Sequence, residues 1–168
     1  MTALVVGGLK SGVGKTTVTL GLIRAFANRG KKIAAFKIGP DFLDPSHYLS
    51  AGAAVVGNLD PILQGETGMA KKFQDARSAD VIIVEGAMGI FDGPFPGKDT
   101  ASTAAVAKYF GLPILLVSDA RSCAQSIAAE ILGAKTLLGA APLAGVILNF
   151  VASARHAELL VRGIRDLA

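Results

Sequence analysis

The chain has 168 residues, 51% hydrophobic and 18% charged, with a formal net charge of +4, which suits one sizeable core and a single domain. No apolar run approaches the roughly 18 to 20 residues of a membrane span, and one cysteine, Cys123, excludes both a disulfide framework and a cysteine-based zinc cluster within the chain. Lys and Arg are scattered and Trp is absent, which argues against nucleic acid as a partner; no basic region precedes the first apolar segment, so a cytoplasmic setting without signal peptide or membrane is expected.

The first apolar run, residues 3–6, leads into a glycine loop and a helical stretch from Lys15 to Asn28, closed by Gly30. A second run at 33–36 is followed by Gly39 to Asp60, rich in Gly, Pro and Asp, which fits neither strand nor helix. Helical spacing returns over Glu66 to Ala76, then a third run at 81–84 and a second irregular acidic segment, Gly86 to Asp99. A helix from Thr100 to Phe110, a run at 114–117, a helix from Ser122 to Leu138, a run at 145–148 and a last helix over Ser153 to Leu167 complete the chain. The five runs are near-continuous in Val, Ile and Leu rather than alternating, as parallel strands covered on both faces should be. Strands alternating with helices predict an α/β fold: three layers, a mostly parallel sheet flanked by helices.

The strongest local signal is Gly8-Leu9-Lys10-Ser11-Gly12-Val13-Gly14-Lys15-Thr16-Thr17 between the first strand and helix. Its glycines let backbone N–H groups and a helix N-terminus surround phosphate; Lys15 supplies charge and Thr16 a hydroxyl for magnesium. Leu9 holds the place of the usual first glycine, and Gly8 precedes it. The pattern nevertheless predicts a P-loop containing nucleoside triphosphate hydrolase fold that binds nucleotide through Lys10 to Thr17. Lys10 reads equally as a solvated loop lysine or as a second lysine that reaches the nucleotide, in some proteins across a homodimer. Both irregular segments follow the carboxyl ends of strands, where open α/β sheets place ligands. Asp41, Asp44 and Glu85 there are candidate partners of Thr16 around Mg2+, although Asp44 before Pro45 reads as well as a helix entry. Lys37 ends a strand facing the same edge and could neutralise a carboxylate or a transferring phosphoryl group. Cys123 is placed at a helix start that could lower its pKa, but a small buried residue is the favoured reading.

Lys37-Ile38-Gly39-Pro40-Asp41-Phe42-Leu43-Asp44-Pro45, Asn58-Leu59-Asp60, Val84-Glu85-Gly86-Ala87-Met88-Gly89-Ile90-Phe91-Asp92-Gly93, Asp119 with Ala124-Gln125-Ser126, and Gly145 to Asn149 followed by Arg155-His156 resemble, in order, the amino-terminal domain of cobyrinic acid a,c-diamide synthases. A more distant resemblance, through Lys37 and the glycine loop, is to dethiobiotin synthetase. The resemblance implies ATP- and Mg2+-dependent amidation of tetrapyrrole side-chain carboxylates through an acyl phosphate. It implies that Lys15, Lys37, Asp44 and Asp92 serve the chemistry, and that Thr16, Asp41 and Glu85 hold the metal. Phe42 and Leu43 would touch the macrocycle, with Phe42 where many members carry Tyr, and Asn149 would read adenine. The family normally continues into a glutaminase domain. The expectation is thus a single synthetase domain over residues 1–168, with ammonia from another domain or chain. Other readings are a nucleotide-switched, partitioning-type ATPase and a dethiobiotin synthetase-like carboxylase.

Overall fold

A computed structural model describes residues 2–94 and 101–167. The expected helix start at Thr100 and the tail of the second irregular segment, residues 95–99, lie outside the described residues. The elements are β1 (Thr2–Gly8), α1 (Lys15–Ala27), β2 (Ile33–Ile38), α2 (Asp44–Ala51), β3 (Val55–Leu59), α3 (Gly65–Asp75), β4 (Val81–Glu85), α4 (Thr103–Phe110), β5 (Ile114–Asp119), α5 (Ile127–Leu138), β6 (Leu143–Asn149) and α6 (Ala154–Leu167). The strands form one sheet in the order β3-β2-β4-β1-β5-β6, with every paired neighbour parallel. Among the described residues no helix is long and apolar enough to cross a membrane.

Each central strand is buried on both faces, and successive side chains serve opposite layers. On β2, Ala34 and Phe36 join α3, α4 and α5 through Met69, Phe73, Val106 and Leu138. Ile33 and Ala35 face the other way, onto Ile23 of α1 and Tyr48 and Ala51 of α2. The α6 helix packs on α5 and β6 through Leu160, Ile127 and Ile131. This alternation positions the site: one step beyond Ala35 on the same face comes Lys37, and beyond Ile83 on the adjacent β4 comes Glu85. The two are register partners at the carboxyl end of the sheet.

Two expectations need correction. Gly39 to Asp60 is not an irregular segment, since it contains α2 and the edge strand β3, which makes six strands among the described residues rather than five. The α2 helix begins at Asp44 with Pro45 in its first turn and ends at Gly52 in the left-handed region. The helix expected from Ser122 starts at Ile127 instead, because Ser122 sits at φ 55, outside helical backbone.

One buried hydroxyl serves no visible purpose. Thr19, fully buried in α1, has no hydrogen-bond partner for Oγ1 among the described residues. Replacing it with the nearly isosteric valine should raise the unfolding free energy by about 1 kcal/mol, read as a higher urea midpoint at unchanged slope.

Candidate functional site

The loops after β1, β2 and β4 converge where the strand order turns back on itself around β1, the edge at which sheets of this kind hold ligands. Gly12 and Gly14 adopt φ values of 77 and 97, and they curl the first loop so that Ser11, Gly12, Gly14, Lys15, Thr16 and Thr17 line a cavity of about 410 Å³. Val13 turns the other way, into the core. Lys15 Nζ donates to the carbonyls of Lys10 at 3.0 Å and Met88 at 2.6 Å, tying the first loop to the loop after β4. Burial, and then the nearby Lys37 charge, pull the Lys15 ammonium below its ordinary pKa.

Glu85, wholly buried at the end of β4, accepts three side-chain hydrogen bonds. Its Oε1 takes the Thr16 hydroxyl at 2.6 Å and Lys37 Nζ at 2.8 Å, and its Oε2 takes the Tyr48 hydroxyl at 2.6 Å. Lys37 Nζ also meets Asp44 Oδ2 at 2.5 Å. Burial alone would depress Lys37, but hydrogen bonds and charges from Asp44 and Glu85 outweigh it and hold Lys37 above its usual value. Asp44 is therefore the first residue of α2, as its helix-entry reading has it, and also an ion-pair partner of Lys37. Burial, and then the Glu85 charge, push the Tyr48 phenol far above its ordinary range.

Asp41 is differently employed. Its Oδ1 accepts from the backbone N–H groups of Leu43 at 2.9 Å and Asp44 at 3.1 Å. Burial opposes ionisation, yet those two N–H donors keep its carboxyl below the usual range. Asn58 Nδ2 donates to the Asp41 carbonyl at 2.8 Å, fastening this turn to β3. Asp41 lines a second cavity of about 490 Å³ together with Lys37, Ile38, Ile62, Leu63, Met88 and Asp92. A third, of about 390 Å³, adjoins it and includes Phe42. The Asp92 Oδ2 accepts from Gly89 N–H at 2.8 Å, bracing the loop after β4. Phe42 and Leu43 are 89% and 73% exposed at the rim of this region. The site thus gathers Lys15, Thr16, Lys37, Asp44 and Glu85 around the phosphate loop, while Asp41, Phe42 and Asp92 border the neighbouring space.

At the far side of the loop, Asn149 Nδ2 donates to the Val13 carbonyl at 2.8 Å and its Oδ1 accepts from Phe150 N–H at 2.9 Å. Its amide braces the phosphate loop. Lys10 Nζ lies 3.3 Å from Asp119 of its own chain, a carboxylate also held by Arg121 at 2.7 Å. Cys123 does not sit at a helix start; it lies in the turn before α5, packed near Ala120 and Ile127. Desolvation pushes its thiol up rather than down.

Tyr48 and Met88 were not singled out by the sequence. A signal for Tyr48 exists in hindsight: it stands four residues after Asp44, on the same face of a short helix.

Residues 4–168 match the family described as the CobQ/CobB/MinD/ParA nucleotide binding domain, CbiA. The chain belongs to this family. Among relatives, a cobyrinate a,c-diamide synthase from Synechococcus is 44% identical over 166 residues, covering 98% of this chain and 36% of that protein. A hydrogenobyrinate a,c-diamide synthase from Rhodobacter capsulatus is 44% identical over 165 residues, covering 97% and 38%. A cobyrinate a,c-diamide synthase from Leptospira interrogans is 40% identical over 158 residues, covering 94% and 35%. The chain spans only 35% to 38% of the length of these three relatives. Among solved structures, the signal recognition particle receptor FtsY from Elizabethkingia anophelis superposes with a TM-score of 0.62 at 16% identity, over 98% of this chain and 55% of that one. A nucleotide-binding protein from Archaeoglobus fulgidus, in complex with ADP, gives 0.56 at 18% identity, over 96% and 77%. These two likenesses establish the P-loop fold, as expected from the sequence.

Proposed function

We propose that this domain activates a side-chain carboxylate of a tetrapyrrole with ATP, in the amidation that leads toward cobalamin-type cofactors. One observation carries the reading. Lys37 and Met88 line both the phosphate cavity and the larger, mainly apolar cavity beside it, so an ammonium stands where a nucleotide's outer phosphate and an organic acid would meet. The names of the relatives favour this over a dethiobiotin synthetase-like carboxylase. Lys10 is occupied by Asp119 within its own chain, so this geometry lends no support to a nucleotide-switched homodimer with Lys10 reaching a partner.

In the proposed step a substrate carboxylate oxygen bonds to the γ-phosphorus of ATP while the bond to the β-phosphate bridging oxygen breaks, releasing ADP. Ammonia then attacks the acyl carbon and phosphate leaves, giving the amide. The first partners are both anions, so the protein's task is to hold them together and spread the charge. Lys15 leaves its carbonyl partners for the outer phosphates, while Lys37, held by Asp44 and Glu85, faces the transferring group. The Thr16 hydroxyl and Glu85 Oε1, hard oxygens 2.6 Å apart beside the phosphate cavity, fit a Mg2+ that takes its remaining ligands from phosphate and water. Such an ion would neutralise charge on the phosphates. Asp41, the third expected ligand, borders the two cavities beyond the phosphate loop, and its occupied Oδ1 suits it to shaping the turn that presents Phe42 and Leu43. These two exposed side chains and the apolar cavity walls would receive the flat macrocycle. Asp92 would steady the loop over the intermediate. Ammonia would come from a glutaminase domain or a separate chain, and the reaction belongs in the cytoplasm.

The test is direct. Purified chain given ATP, magnesium, ammonium and cobyrinic or hydrogenobyrinic acid should release ADP and phosphate in step with amide. Absence of amide from every such acid, with ATP still bound, overturns the reading.

A further inference from the structure

Tyr48 lies outside every role considered so far. It is wholly buried, yet it carries a hydroxyl, and that hydroxyl donates to Oε2 of a wholly buried carboxylate at 2.6 Å. Among the described residues it is the sole side-chain donor at that oxygen; the other two partners of Glu85 share Oε1. A carboxylate at the end of a long side chain turns readily about its last torsion. Here the three donors come from α1, β2 and α2, and they divide the two oxygens unequally.

We infer that Tyr48 is a positioning residue for phosphoryl transfer: by occupying Oε2 it fixes the Glu85 carboxylate so that Oε1 stays turned toward Thr16 and Lys37. The inference rests on the reading of this domain as an ATP-dependent enzyme.

The helix that carries Tyr48 is built to hold it still. Asp44 and Tyr48 stand four residues apart on one face of α2, and the first grips Lys37 while the second grips Glu85. At its other end α2 is pinned to α1. Arg24 donates to the Ser50 carbonyl at 2.7 Å. Gly52 closes the helix at φ 110 against Ala27, where a Cβ would approach to 2.9 Å. A single short helix therefore sets both charged partners of the site, and its first turn adjoins the exposed Phe42 and Leu43. Any guest seated on those residues leans on the element that orients Lys37 and Glu85.

The chain has two tyrosines and no tryptophan, which gives Tyr48 a spectroscopic signature. In Tyr109→Phe protein, near-ultraviolet tyrosine absorption reports Tyr48 alone, and adding Glu85→Gln should shift that band to the blue as its charged acceptor is replaced. In kinetics, Tyr48→Phe should lower kcat about 10- to 100-fold, the usual effect of losing a group that orients a metal-side carboxylate, with KM for ATP within about twofold. A folded Tyr48→Phe enzyme with wild-type kcat overturns the inference, as does a Tyr48 band indifferent to Glu85→Gln. Should Tyr48→Phe not fold, the absorption measurement decides, because it keeps the tyrosine. That arm needs no macrocycle, so failure to amidate any tetrapyrrole acid would count against the proposed function and leave Tyr48 to be judged separately.

Discussion

Lys37→Met should lower the unfolding free energy by about 3–5 kcal/mol, the cost of removing one partner from a buried ion pair, and should abolish phosphoryl transfer. The lysine is mostly buried and lies between the wholly buried Glu85 and the half-buried Asp44. Without it, two acidic groups face one another, and Oε1 of Glu85 keeps only the Thr16 hydroxyl. Methionine fills the aliphatic volume, so the loss reports charge rather than a cavity. The double variant Lys37→Met with Glu85→Gln should recover much of the stability, because the wholly buried carboxylate is then neutral and only the half-buried Asp44 keeps its charge, while turnover stays absent. Urea unfolding of the two single variants and the double variant gives the coupling; strictly additive losses would show that the pair does not interact. The pH dependence has a defined sign. Lys37 is held above its ordinary pKa, so its stabilisation is complete below that value and is lost only as pH rises through the raised one. The gap between wild type and Lys37→Met attributable to Lys37 titration should therefore persist from neutrality to about pH 10 and narrow above it.

The parts of this molecule that could be read from its sequence are those where one residue type has one use. Val-rich runs such as Val81 to Val84 can hardly be anything but covered strands, and the glycines around Lys15 follow a strand and open a helix. The fold and the phosphate loop follow from those two patterns. The edge strand β3 escaped because it is half-exposed and Val55-Val56 gives way at once to Gly57-Asn58. Its neighbour β2 holds it, not its own composition. The α2 helix escaped because eight residues opening on Asp-Pro resemble a turn until tertiary packing extends them. In the candidate site, Lys37 and Glu85 could be named separately, but their contact depends on a β2–β4 register that aligns residues 48 positions apart. Tyr48 needs a further condition: α2 must pack over β2 so that a side chain four residues after Asp44 reaches the end of β4. Asp41 shows the opposite difficulty. Its chemistry suits a metal, and the same carboxylate suits two backbone N–H groups in its own turn; the fold supplies those donors.

Lys15→Met should weaken binding of a nonhydrolysable ATP analogue by about 100-fold, equivalent to losing one or two hydrogen bonds to a charged group at about 1.5–3 kcal/mol each. Its stability should stay close to wild type. The opposed signs follow from the position of this lysine. Burial and the Lys37 charge both disfavour the ammonium, and methionine removes that repulsion while keeping the apolar stem. Against this stands the loss of the bonds to the Lys10 and Met88 carbonyls, which water can replace at a cavity that opens to solvent. The charge is thus maintained at some cost to the folded state for the sake of a polyanion that offsets it, a trade-off expected of binding sites. Calorimetric titration and thermal unfolding of the same preparation provide the check. Unchanged ATP affinity would remove Lys15 from the nucleotide site. A large loss of stability would instead mean that its tie between the loops after β1 and β4 holds the fold together in the absence of nucleotide.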